Sequence, residues 1–115
     1  MSITLDNQQH REWLSQLNFY QDEIKIFQLE LLRVVQSHPD DFPVIEHVEE
    51  YRAILLKKLH HIDDLRHRLL YHHWKLTQPV DPAIEHDDLK LDITQFVKDF
   101  EALKTNFRRF ASRKD

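Results

Sequence analysis

The chain is predicted to be all-α: an elongated up-down-up antiparallel three-helix bundle with coiled-coil-like seams, its helices spanning about 6–38, 43–77 and 82–113. Three observations predict it. Glycine is absent, and the four prolines fall in two places only, Pro39/Pro43 and Pro79/Pro82, which leaves three long proline-free segments. Inside each segment apolar residues recur in alternating steps of three and four, the seam of a left-handed helical bundle. Nowhere do they alternate with the period of two that a half-buried strand requires.

The first helix opens on Asp6 with Gln9 three residues on, the form of an N-terminal capping box. Its seam carries Trp13, Leu17, Tyr20, Ile24, Phe27, Leu31 and Val34, and it ends at the break Ser37-His38-Pro39-Asp40-Asp41-Phe42-Pro43. The second helix carries Val48, Tyr51, Leu55, Ile62, Leu65 and Leu69. Lys58 fills the one beat where a hydrophobe is missing, so its aliphatic stem is expected beside Ile24 and Phe100 with the ammonium reaching outward. In the third helix Asp81-Pro82 reads as an N-cap followed by proline at the first helical position, where the missing N–H costs nothing. The helix is acidic early (Glu85, Asp87, Asp88, Asp92) and basic late (Lys104, Arg108, Arg109, Arg113), as its dipole prefers. Its seam is Leu89, Ile93, Phe96, Phe100, Leu103, Phe107 and Phe110.

Short connections make consecutive helices antiparallel neighbours. Folding the chain about residue 41 and again about Pro79 brings the three seams into one register, with both pivots inside the proline breaks. The predicted layers are Trp13/Leu69/Leu89, Leu17/Leu65/Ile93, Tyr20/Ile62/Phe96, Ile24/Lys58/Phe100, Phe27/Leu55/Leu103, Leu31/Tyr51/Phe107 and Val34/Val48/Phe110. Such a rod has helices about 45–50 Å long at 1.5 Å rise per residue.

With 115 residues and no linker, repeat or low-complexity tract, residues 1–115 are expected to form one domain. Lacking glycine, the chain has no phosphate-cradling loop, dinucleotide fingerprint or nucleophile elbow; lacking cysteine, it has no disulfide, thiolate metal site or thiol nucleophile. The N-terminal sequence has neither the basic start nor the apolar run of a signal peptide, and no uncharged stretch approaches the roughly 20 residues of a membrane span. A cytoplasmic protein without membrane or nucleic-acid partner is expected. A net charge of −4 fits neither of those partners, and the basic, aromatic run from Phe107 to Lys114 spends its phenylalanines on the core. The four serines lie in no nucleophile motif, and paired carboxylates such as Asp87-Asp88 and Glu49-Glu50 read as solvated helix faces, so the balance leans away from an enzyme.

Nine histidines is a high number for this length. Three of them extend the layers by one step: His10 precedes Trp13 by three residues, His72 follows Leu69 by three, and His86 precedes Leu89 by three. The register therefore predicts one imidazole from each helix in a single end layer. Three neutral imidazoles with a water are the ligand set of a catalytic zinc site. Zinc or another divalent transition metal is thus the one cofactor to consider; the alternative is an amphipathic end layer with its polar edges wet. A second grouping, His60, Asp63, Asp64 and His67, lies nearly opposite the seam and is expected to face solvent.

Some hydrophobes point away from the seam. Phe19, Ile26 and Leu29 do so on the first helix, Leu56, Tyr71 and Trp74 on the second, and Ile84 and Leu91 on the third. Grouped apolar and aromatic residues on a surface mark protein contacts. Phe19, Ile26, Leu29, Tyr71, Trp74, Ile84 and Leu91 are accordingly the candidate interaction surface. The expected function is that of a non-enzymatic helical interaction or scaffold module, self-associating or docking another helical protein; the alternative is a transition-metal-binding bundle using His10, His72 and His86.

Overall fold

A computed structural model describes the backbone of residues 2–75 and 83–112 and the side chains of 8–71 and 87–112. It contains three helices, α1 (Ser2–Ser37), α2 (Phe42–Lys75) and α3 (Ala83–Ala111), and no strand among the described residues. They pack as an antiparallel three-helix bundle measuring 60 × 18 × 17 Å. Its radius of gyration is 17.9 Å, against about 13 Å for a compact domain of this length. The bundle is a rod.

α1 begins earlier than the sequence pattern implies: Asp6 lies inside the helix rather than at its N-cap. No glycine or proline stands upstream to stop the helix from extending. At the other end, the His38 amide donates to the Val34 carbonyl at 3.0 Å, and the His38 Nδ1 lies 3.1 Å from the same oxygen. The chain then reverses in one tight turn closed by the Asp41 amide donating to the His38 carbonyl at 3.3 Å. Pro39, the second residue of that turn, has its φ pre-set for this position.

Asp41 caps α2. Its Oδ1 accepts from the Val44 amide at 3.2 Å, and its carbonyl accepts from the Ile45 amide at 2.9 Å. Proline at position 43 falls in the first helical turn, where an amide is not needed. The connection between α2 and α3, and with it the expected Asp81-Pro82 cap, lies outside the described residues. α3 closes on Ser112, whose amide and hydroxyl donate to the Arg108 and Arg109 carbonyls.

The core is built from the predicted seam residues. Every layer residue is buried except Val34, Tyr51, Lys58, Leu103 and Phe110, which are half-buried. Val44 joins the core one step beyond the last predicted layer, because the helix starts at Phe42 and carries the seam back by four residues. Burying each such side chain contributes about 1.5–3 kcal/mol. Ring contacts keep α2 and α3 near the predicted register, with Tyr51 5.4 Å from Phe107 and 5.1 Å from Phe110, whereas on α1 Tyr20 lies closer to Phe100 (4.7 Å) than to its layer partner Phe96 (6.0 Å). Phe27 sits between Phe100 (6.2 Å) and Phe107 (4.5 Å), bracketing its predicted layer partner Leu103. Between α1 and α3 the closest ring pairs, Tyr20/Phe100 and Phe27/Phe107, and the Glu23–Lys104 pair all lie about one turn beyond the predicted layers.

α1 and α2 run closest together, and α3 approaches them across larger side chains. The reason is composition. α3 presents Phe96, Phe100 and Phe107 inward, whereas α2 presents Leu55, Ile62, Leu65 and Leu69. Lys58 holds its ammonium over the Phe96 ring at 5.6 Å, so the missing beat of α2 is filled by a stem and a cation–π contact. The contact is with Phe96, one turn from the expected Phe100.

Candidate functional site

The helix that fixes the seam also fixes what faces away from it. On α1 the inward residues leave Phe19, Ile26 and Leu29 on the opposite side, and they are 54%, 57% and 60% exposed. Tyr71 on α2 and Leu91 on α3 are exposed as well. Trp74 and Ile84, the other two residues of the candidate surface, have side chains outside those described. The predicted outward direction therefore holds wherever it can be read.

Further hydrophobes are exposed that sequence reasoning passed over: Leu32, Phe42, Leu70 and, less fully, Ile54. Leu32 follows Leu31 and Leu70 follows Leu69. A seam takes one leucine of such a pair, and the 100° step of the helix turns the other aside. Leu32 borders the open α1–α2 groove together with Val35, Glu49 and Arg52. The doublets were the available signal.

Between α1 and α3 the flank is polar and largely covered. Lys104 Nζ donates to Glu23 Oε1 at 2.6 Å, with side chains only 15% and 13% exposed. The second Glu23 oxygen is buried and makes no hydrogen bond. One turn away, the Tyr20 hydroxyl donates to Glu101 Oε1 at 3.0 Å. Burial first, then the hydrogen bond to Glu101 and the charges of Glu101 and Glu23, push the Tyr20 hydroxyl up to about 12. The Lys104 ammonium also lies 5.8 Å from the centre of the Phe19 ring. Spacing placed Tyr20 in the seam but did not mark Glu23, Glu101 and Lys104 as its polar neighbours, because these three flank the seam rather than standing in it.

The histidine layer is described only in part. His10 is 5% exposed, the one polar residue in the buried set, and its ring lies 5.7 Å from that of Trp13. Its two predicted layer partners, His72 and His86, have side chains outside those described. Among the described residues no group of three or more histidines and carboxylates is placed to hold a metal ion. In the second grouping, His67 Nδ1 is 3.7 Å from Asp63 Oδ2, and both side chains are well exposed, as expected of a solvated face. Tyr51 is the other phenol with a raised pKa, shifted by burial and then by the charge of Glu50.

The concavities of the rod are open. The hollow by the first turn, of about 150 Å³, is bounded by Glu30, Val34, His38, Val44 and Phe110. Larger hollows, about 460 Å³ beside Leu32, Val35 and Arg52 and about 830 Å³ beside Gln8, Glu12 and Phe19, reach the roughly 300–1,000 Å³ of a small-molecule pocket but lie open on the surface rather than enclosing a space. Among the described residues no helix is long and apolar enough to cross a membrane. No protein-family model, curated protein or solved structure matches the chain.

Proposed function

We propose that this protein is a non-enzymatic helical interaction module whose outer apolar faces meet another protein, either a second copy of itself or another helical chain. The observation that carries this reading is the exposure of Phe19, Ile26 and Leu29 along one face of α1. Singly exposed hydrophobes are ordinary; three grouped on one face over about three turns are the kind of surface that protein partners cover. The elongated shape supports the same reading. The rod exposes 8012 Å², against about 6,700 Å² for a compact fold of this mass.

The test is site-specific photo-cross-linking in cells that naturally carry the protein. A photoreactive residue in place of Leu29 should trap a discrete protein, of the same chain or another. The same residue in place of Lys98, on the outer side of α3, should not. Equal capture from both positions, or none from either, would sink the reading.

A further inference from the structure

On the side of α1 opposite the core, Phe19, Asp22, Ile26, Leu29, Arg33 and Gln36 repeat the alternating steps of four and three that make the inner seam. All six are exposed. α1 therefore carries two seams, and among the described residues the outer one meets another helix of the bundle where Lys104 reaches the Phe19 ring at one end. Its charges are placed with a symmetry that names the partner. Asp22 lies four residues before Ile26, and Arg33 lies four residues after Leu29.

We infer that the outer seam of α1 pairs antiparallel with the outer seam of α1 in a second copy of this chain, about a two-fold axis that passes between Ile26 and Leu29. This inference rests on the interaction reading above. In that register Ile26 of each copy meets Leu29 of the other, Asp22 meets Arg33, and Phe19 meets Gln36. Self-pairing about a two-fold makes every such layer occur twice. A parallel, in-register pairing would instead stack Asp22 on Asp22 and Arg33 on Arg33, which repel. An antiparallel pairing shifted by one heptad would set Asp22 against Ile26 and desolvate the carboxylate without a cation. Of these three, the proposed register is the one that joins acid to base while keeping Ile26 on Leu29, at the cost of setting Phe19 against the amide of Gln36.

The parts are available for the contact. Arg33 is 74% exposed in its side chain, held only by a neighbouring Glu30 at 3.0 Å on the same surface, and a guanidinium can bridge two carboxylates. The strip from Phe19 to Gln36 runs about 26 Å at 1.5 Å per residue.

The experiment is a sedimentation-equilibrium series on the full chain and four variants, with circular dichroism to show that each stays helical. The wild type should be a dimer. Asp22→Lys and Arg33→Asp should each raise the dissociation constant at least about tenfold, because each puts two like-charge layers into the contact. The double variant carrying both changes should recover the dimer, and mixing the two single variants should give a one-to-one heterodimer. A wild type that stays monomeric up to about 100 µM would overturn the self-pairing while leaving the cross-linking test of the broader reading intact. A dimer broken by Ile26→Glu but indifferent to both single charge reversals would overturn the antiparallel register and keep α1 as the contact face. A dimer indifferent to Ile26→Glu as well would overturn both the register and the face.

Discussion

Toward α3, α1 offers Tyr20 and Glu23 to Glu101 and Lys104, and the cation–carboxylate pair is nearly sealed from water. Toward α2 it offers Asn18 and Gln21 to Arg66, whose guanidinium donates to both amide oxygens and lies 4.0 Å from Asp63. The first flank matches charge with charge under cover; the second matches a charge with neutral, wetter groups. Connectivity accounts for the difference. α2 is tied to α1 by a turn of a few residues capped by Asp41 and pre-set by Pro39, so its register is set by the chain itself. α3 stands farther from α1 across bulky phenylalanines, and a buried pair that fits in only one register supplies specificity there. Retaining buried ionic groups for register is their best-attested use.

The largest effect should come from splitting that pair. Lys104→Ala strands Glu23, whose second oxygen already makes no hydrogen bond, in a site with no cation. A loss of about 2–3 kcal/mol in urea unfolding is expected, below the 3–5 kcal/mol of a fully buried pair because some water reaches both groups. Replacing both residues by leucine should return stability to within about 1 kcal/mol of the parent. A double variant as unstable as the single one would show that the pair matters for packing, not for charge matching, and the contrast between the flanks would go.

The seams were legible because a helix repeats. Trp13 to Phe107 could be assigned to layers from spacing alone, and the same arithmetic turned Phe19, Ile26 and Leu29 outward. The flanks were not legible. Whether Glu23 reaches Lys104 depends on crossing geometry and on a long side chain leaning back toward its helix N-terminus, neither of which spacing encodes. Helix ends were legible only to a turn: Asp6 proved internal, while Asp41, unremarked between Asp40 and Phe42, turned out to be the cap that carries Val44 into the core. Burial of His10 agrees with a seam position. The ligand geometry with His72 and His86 lies outside the described side chains.

A smaller effect is expected at Tyr20. Removing its hydroxyl in Tyr20→Phe deletes a hydrogen bond to a charged but exposed acceptor, at a cost of about 1 kcal/mol near neutral pH. The pH dependence carries the sharper signature. The folded pKa, about 12, lies above the ordinary 10 of the unfolded chain, so the native state holds the proton more tightly. The resulting stabilisation is fully present below pH 10 and is lost as pH rises from about 10 to about 12. The difference in stability between parent and Tyr20→Phe should therefore shrink across that window. A difference that stays level would place Tyr20 in a more open setting and weaken the picture of a covered flank.

The smallest effect should come from the opposite flank. Arg66 is 24% exposed in its side chain, and one of its partners, Asn18, lies in the open. When Arg66→Ala removes the guanidinium, water can take its place on the amide oxygens, so no group is left buried and unpaired. A cost under about 1 kcal/mol is expected, part of it from the partly buried aliphatic stem. The loss should be insensitive to salt, since neutral amides are the principal partners and the Asp63 contact is long. Salt-dependent destabilisation equal to that of Lys104→Ala would mean that Asp63 draws Arg66 into a true ion pair, and the two flanks would then be fastened by the same means.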